Sequence, residues 1–208
     1  MKGTIKMLNT RCGKQNEKGI EILEFALVVA FILVPLLLGV VVIGINLGRA
    51  VQVAQVARDG GSMYVRGIDF SQSGNQAVLA RLGQGLGLAA SGGVGVVILS
   101  KVTHIPIGGC TNPCNEGQYV MTQRIVIGDS ALVTAHGQFQ PNGLVTLDAQ
   151  GNVVNYIVDP NAIVSSFNSV LTLTGSEFAF ISEAYFPTPD VNMPGYSVGN
   201  GVYSRSIY

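Results

Sequence analysis

The residues best placed to do chemistry lie where a basic segment meets a long apolar run. Gly19 ends the basic segment, Glu24 is the fifth residue after it, and Phe25 opens the apolar run. A glycine leaves its peptide bond sterically open to a protease, and hydrolysis after Gly19 would create a new amino group on Ile20. Ile20 and Glu24 are one turn apart on the same face of a helix. The new ammonium group and the carboxylate can therefore neutralise each other, within one chain or between adjacent chains.

Glu24 lies at the start of the apolar run, where an ionised carboxylate is costly. The cost is about 2.5–3.5 kcal/mol near the centre of a bilayer and less at its edge. Glu24 thus has a physical reason to find a cationic partner. The alternative interpretation is that Glu24 only marks the membrane edge, as Glu21 would do.

The apolar run itself is long enough to cross a bilayer. No charged residue occurs from Phe25 through Gly48, and about 20 apolar residues suffice for a membrane-spanning helix. A cleaved secretory signal would have a shorter apolar core followed by a small-residue cleavage site. The sequence Ile45–Arg49 is a poor site of that kind, so we expect a membrane anchor.

Charge is distributed unevenly although the totals are equal. Of the 12 basic and 12 acidic residues, five basic and one acidic residue lie within 1–19. This basic segment predicts a cytoplasmic N-terminus and an exported remainder. The neutral total indicates no nucleic-acid partner.

The cysteines agree with that topology. Cys12 lies in the basic segment, whereas Cys110 and Cys114 lie in the exported part, where an oxidising compartment allows one disulfide between them. A metal site with His104 as a third ligand is the rival interpretation. It lacks a second cysteine pair, so we expect no metal and no cofactor.

The order of elements predicts an α+β fold, with a long N-terminal transmembrane helix followed by a small antiparallel β-rich exported domain. The predicted segments are a basic leader at 1–19, a transmembrane and then amphipathic helix at 20–66, a Gly-rich connector at 67–93, a β-rich domain at 94–189 and a flexible tail at 190–208. Within them we expect helices at 76–82 and 161–168, and strands at 94–103, 119–127, 131–139, 144–147, 153–158 and 177–186.

Other residues that could carry chemistry have ordinary structural explanations. His104 and His136 have no acidic or nucleophilic residues beside them, and Gly128-Asp129-Ser130 lacks the strand–turn–helix setting of a nucleophile elbow. Asp148 and Asp159 fit a turn and a helix cap. We therefore predict a protein that is not an enzyme.

The N-terminal third resembles a known family. The Gly19 to Phe25 pattern resembles the processing site of type IV prepilins in the Flp/Tad variant. Glu24-Phe25-Ala26-Leu27, the leucine-rich span and Ala57-Arg58-Asp59-Gly60 are similar to TadE-like minor pseudopilins. Asp59 stands where glutamate is commoner in that family.

The resemblance implies a structural subunit or assembly factor of a Tad-type pilus. It implies cleavage by a prepilin peptidase between Gly19 and Ile20, recognition through Phe25 and assembly through Glu24. The partners would be other pilins or pseudopilins, the Tad inner-membrane platform and the lipid bilayer. One alternative is a tip adhesin or minor subunit whose exported domain binds a surface. The other is a signal-anchored periplasmic binding or enzymatic domain that uses the helix only as a tether.

Overall fold

The chain divides into two compact units, Met1–Ile45 and Asn46–Tyr208. The computed structural model describes residues 17–111, 113–175, 177–188 and 201–208. Most of the predicted leader, residue 189 and residues 190–200 of the predicted tail therefore lie outside the described residues. The division falls within a helix, so a boundary at residue 66 does not separate the units.

The first unit is helical wherever it is described. Helix α1 (Glu17–Val28) continues through a π-helical turn at Val29–Leu33 into α2 (Val34–Val65). Pro35 explains the turn, because proline has no N–H and its ring collides with the carbonyl four residues earlier. A wider π-helical turn accommodates that collision. The distortion near Pro35 is thus local, and the helix continues beyond it.

The helical run Gly19–Val65 is long and apolar enough to cross a membrane, and its most apolar window has no surface buried inside the protein. Large apolar side chains such as Phe31 and Leu36 are mostly exposed. Exposing such side chains to water is unfavourable, because each one forgoes about 1.5–3 kcal/mol of burial free energy.

A four-stranded antiparallel sheet organises the second unit. Its strands are β1 (Val96–His104), β2 (Tyr119–Gly128), β3 (Phe178–Phe186) and β4 (Val202–Ile207), in the spatial order β2-β1-β3-β4. The predicted β1–β2 hairpin and the predicted late strand are confirmed, as is the α+β class. β1 is central and buried on both faces.

A β-bulge decides which residues of β2 face α2. The pairing shifts between Lys101 and Val102, so that Lys101 lies opposite Gln123 and Val102 lies opposite Met121. One extra residue on β2 reverses the alternation of its side chains. Gln123 therefore accepts a hydrogen bond from Tyr64 of α2 at 2.7 Å, while Met121 packs in the core on the opposite face.

Helical segments cover one face of the sheet. The outer part of α2 buries Val53, Val56 and Ala57, and α3 (Ser73–Leu82) buries Leu79, in one core with Val97, Leu99, Ile125, Ile127, Ala184 and Phe186 of the strands. Apolar residues at three- and four-residue spacing make the helix amphipathic after Arg49. This is the physical reason that α2 can pack on a sheet here.

Segment 67–93 is part of this core rather than only a connector. Phe70, Leu79, Leu86 and Leu88 are almost fully buried in the core beneath α2. The glycines of segment 67–93 permit tight turns, as at Gly87, where φ is +86°. The expected helix at 76–82 is present and begins three residues earlier.

The expected strand at 131–139 is wrong. Residues Ala131–His136 form a short helix, α4, because the Asp129 carboxylate accepts the Ala131 N–H at 2.9 Å and starts a turn. Phe139 follows as a buried residue in a core on the second face of the sheet. Over so short a stretch, alternating apolar residues are compatible with either a strand or a helix.

The segment 144–168 contains less regular structure than expected. Asp148 and Gly151 form the expected turn, but only the isolated pair Leu147–Val153 represents the two predicted strands. Asp159 caps a helix as expected, accepting the Asn161 N–H at 2.9 Å. That helix is a single 3-10 turn, Pro160–Ala162. Its extension is prevented because the Val164 N–H donates to the Tyr119 carbonyl of β2.

The end of the chain is a strand, not a flexible tail. β4 pairs with β3 from Phe186–Val202 to Ile181–Ile207. Beyond it, Tyr208 exchanges two backbone hydrogen bonds of 2.9 Å with Phe180. The Tyr208 hydroxyl donates to the Arg58 carbonyl of α2 at 2.9 Å, so the last residue joins the sheet to the helix.

Two adjacent glycines allow α2 to approach the sheet closely. A Cβ atom at Gly61 would lie 2.5 Å from Cε2 of Tyr208 and 3.1 Å from Cβ of Ser182, and one at Gly60 would lie 3.2 Å from Leu79. These glycines do not end or bend the helix, which continues to Val65. They remove side chains at the point of contact.

We expect Gly61→Val to destabilise the second unit by about 2 kcal/mol or more, because the added side chain overlaps Tyr208 and Ser182. Denaturant unfolding of the full chain in detergent, followed through its β-sheet signal, measures the change. Gly48→Val is the matched control, since a Cβ atom at Gly48 would have no neighbour within 4 Å. Equal stability of the two variants would contradict close packing at Gly61.

Candidate functional site

The proposed processing residues lie together at the start of α1. Gly19, Ile20, Glu24 and Phe25 are all exposed, with Ile20 62 % and Phe25 70 % accessible. α1 places Ile20 and Glu24 one helical turn apart on one face. The spacing needed for an amino group on Ile20 to meet the Glu24 carboxylate is therefore present in the folded chain.

The Gly19–Ile20 peptide bond is sterically accessible. A Cβ atom built at Gly19 would have no neighbour within 4 Å among the described residues outside its own stretch of helix. The bond lies in the first turn of α1, which begins at Glu17, and backbone N–H groups in a first turn have no partner within their helix. Local unwinding at this end breaks few hydrogen bonds, as a protease that binds an extended peptide requires.

Cys110 and Cys114 are joined by a disulfide, with an S–S distance of 1.98 Å. The bond closes a small loop inside the β1–β2 connection and does not bridge the strands themselves. Bonded to each other, the two sulfurs are not available as thiolate ligands. Within the ranges that the structure describes, no three His, Cys, Asp or Glu side chains are close enough together to hold a metal ion.

Asn115 attaches the disulfide loop to the rest of the second unit. Its side-chain amide donates to the Tyr156 carbonyl at 2.8 Å and to the Asp159 carbonyl at 2.7 Å. Its backbone N–H donates to the Ile157 carbonyl at 2.8 Å. The loop that carries the disulfide is therefore held against the loop that precedes the Pro160 turn.

A buried carboxylate on β3 was not predicted from the sequence. Glu183 is 1 % exposed, and its Oε1 accepts hydrogen bonds from the Tyr203 hydroxyl at 2.6 Å and the Gln138 N–H at 2.7 Å. The Phe139 N–H lies 3.4 Å away. The carboxylate thus connects β3, β4 and the segment after α4. Burial, followed by the negative charge of Glu183, raises the pKa of Tyr203.

Arg124 of β2 lies on the same face of the sheet. Its Nε and Nη2 are buried without a hydrogen-bond partner among the described residues, as is Oε2 of Glu183. Burial lowers the pKa of Arg124, and the nearby Glu183 charge opposes that shift. A sequence signal for this pair exists, since each residue interrupts a strand of otherwise mostly apolar residues.

The two histidines pack against tyrosine rings. The ring of His104 lies 5.0 Å from that of Tyr119, and its Nδ1 is buried without a partner among the described residues. The ring of His136, at the end of α4, stacks on Tyr185 at 3.4 Å. Both contacts are packing contacts of aromatic rings.

Comparison with protein-family models, with curated proteins and with solved structures finds no match to this chain. Interpretation of the site therefore depends on its own residues and geometry.

We expect Glu183→Leu to destabilise the second unit by about 2–4 kcal/mol, because it leaves two close donors, Tyr203 and Gln138, without an acceptor. Glu183→Gln retains a carbonyl oxygen and should cost less. Denaturant midpoints of the full-length variants measure both effects. Glu177→Gln is the control, because Glu177 is an exposed carboxylate before β3 and glutamine can still accept its hydrogen bond from the Thr174 N–H. A Leu variant as stable as the Gln variant would contradict the structural role of Glu183.

Proposed function

We propose that this chain is a TadE-like prepilin or minor pseudopilin. It acts as a structural subunit or assembly factor of a Tad-type pilus after a prepilin peptidase cleaves between Gly19 and Ile20. One combination of features carries the proposal. Gly19 is sterically open, and Glu24 lies one helical turn beyond the new amino terminus. The apolar helix that follows is not covered by any described part of the protein.

The exposed apolar helix supports an anchoring and assembling role. Its apolar side chains need a bilayer or other apolar helices around them. A pilin would meet the bilayer as a membrane precursor and other apolar helices in the assembled pilus. The Glu24 carboxylate lies beside the start of that apolar run. A partner ammonium group on Ile20, in the same chain or a neighbouring one, would offset the cost of moving it into an apolar environment.

The second unit supports a structural role in a different way. Its disulfide suits an oxidising compartment, which agrees with export of the residues after the helix. Its sheet and the outer part of α2 share one core. These features are those of a folded domain joined in sequence to an apolar helix.

The cleavage step is tested by the N-terminal mass of the protein isolated from its own host. We expect a mature chain that begins at Ile20. Gly19→Leu should leave the precursor intact, because a bulky side chain closes the peptide bond to the peptidase. Gly39→Leu, at another helical glycine without neighbours within 4 Å, should be processed normally. An intact wild-type precursor in cells with an active peptidase would favour a tethered domain.

The assembly step is tested with Glu24→Gln, which keeps the shape of the side chain and removes its charge. We expect normal cleavage but roughly tenfold or greater loss of assembled pili in the sheared surface fraction, because the ammonium on Ile20 loses its partner. Glu21→Gln is the matched control, since Glu21 is also exposed on α1. Normal assembly of Glu24→Gln, or an equal defect in Glu21→Gln, would contradict the assigned role.

A further inference from the structure

The second unit contains a cavity of about 480 Å³ between β2, α4 and the segment 140–147. This volume is within the range of about 300–1,000 Å³ that is typical of small-molecule sites. Apolar side chains form most of its wall, and Thr134 and Ser130 add hydroxyl groups. The principal apolar contributors are Val126, Val133, Leu144 and Leu147.

Among the described residues, Arg124 is the single charged residue that lines this cavity. Its Nε and Nη2 have no hydrogen-bond partner in the described part of the chain. These two nitrogens form one edge of the guanidinium, and their parallel N–H bonds match the two oxygens of a carboxylate. Buried donor atoms without an acceptor are expensive, so this edge of the half-buried Arg124 side chain is suited to an acceptor that the described residues do not supply.

Glu183 does not supply that acceptor. Its Oε1 is already engaged by Tyr203 and Gln138, its Oε2 makes no hydrogen bond to any described residue, and it does not line the cavity. Its charge acts on Arg124 only through space. The described part of the cavity wall therefore presents one positive charge and no negative one.

The segment 140–147 of the cavity wall is held by hydrogen bonds near both of its ends and is exposed between them. The Gln140 side-chain amide donates to the Gly137 carbonyl at 2.7 Å and to the Val133 carbonyl at 3.0 Å, which holds the segment against α4. The Asn142 N–H donates to the Ile163 carbonyl, and the Asp148 N–H donates to the Asn152 carbonyl. Between these anchors Leu144 is 98 % exposed, so an apolar side chain at the rim is left without cover.

We propose that this cavity binds a carboxylate carried on a small apolar group, with Arg124 holding the carboxylate and the Val126, Val133 and Leu147 side chains holding the apolar part. The carboxylate belongs either to a free organic acid or to a polypeptide, because both present the same two oxygens. Nε and Nη2 have almost no accessible surface of their own. The ligand reaches them through a small shift of Arg124 or of the segment 140–147. The site goes beyond the proposed role in pilus assembly and does not depend on it.

The test uses the full chain in lipid nanodiscs and hexanoate as the probe, followed by ligand-observed NMR titration. We expect saturable binding of hexanoate and none of hexanamide, which has the same shape without the charge. Arg124→Gln should weaken binding about tenfold or more. Arg81→Gln, at an exposed arginine of α3, should bind like the wild type.

A second pair of variants tests the cavity without removing a buried charge. Thr134→Phe places a ring at the exposed cavity wall and should abolish binding, whereas Ala135→Phe, at the next exposed position of α4, should not. Failure of hexanoate to bind saturably would overturn the proposal, as would equal binding by Arg124→Gln or by Thr134→Phe. An ordered water between Arg124 and Glu183 would then account for the unmet donors.

The source of the carboxylate is identified by a third comparison. N-acetyl-leucyl-leucine with a free carboxylate is titrated beside its C-terminal amide and beside hexanoate. Tighter binding of the free peptide than of hexanoate supports a polypeptide carboxylate, and the reverse order supports a free organic acid. Binding of the peptide amide as tightly as the free acid would overturn the role of Arg124.

Discussion

The close contact between α2 and the sheet is the interaction on which the second unit depends. Gly60 and Gly61 remove side chains where the helix meets Leu79, Ser182 and Tyr208, and the buried residues of α2 then share one core with three strands. Glycine inside a helix costs about 1 kcal/mol relative to alanine, so two in succession indicate a stronger opposing requirement. That requirement is steric. The backbone must come close enough for Tyr64 to reach Gln123 and for Tyr208 to reach the Arg58 carbonyl.

The same helix meets two different physical demands along its length. From α1 to about Arg49 its apolar side chains are exposed, and beyond that point one face is buried in protein. Hydrophobic burial is not directional, so either lipid or a neighbouring apolar helix satisfies the first part. The second part requires the particular surface of the sheet. Glu24 is an acidic residue at the start of the first part, and this is why its partner matters for the proposed function.

On the other face of the sheet, polar groups are placed inside an apolar core. Glu183 accepts hydrogen bonds from β4 and from the segment after α4, which makes a carboxylate the connection between three parts of the chain. Arg124 lies on that face beside a cavity, with two donors that no described residue satisfies. A buried polar group whose hydrogen bonds are only partly made is costly. A cavity beside such a group is therefore a better candidate for a binding site than a cavity of similar volume with apolar walls alone.

The sequence by itself determined the apolar helix, the α+β class, the β1–β2 hairpin, the late strand and the pairing of Cys110 with Cys114. These features depend on local signals: a charge-free run, β-branched stretches and two cysteines in one exported segment. Only the tertiary structure decided that residues 131–136 are helical, that Val202–Ile207 forms a strand and that 67–93 belongs to the core. β4 has weak local preference and exists because β3 offers it an edge. The bulge at Lys101–Val102 and the cluster around Glu183 likewise arise from contacts between residues distant in the chain, which no local pattern encodes.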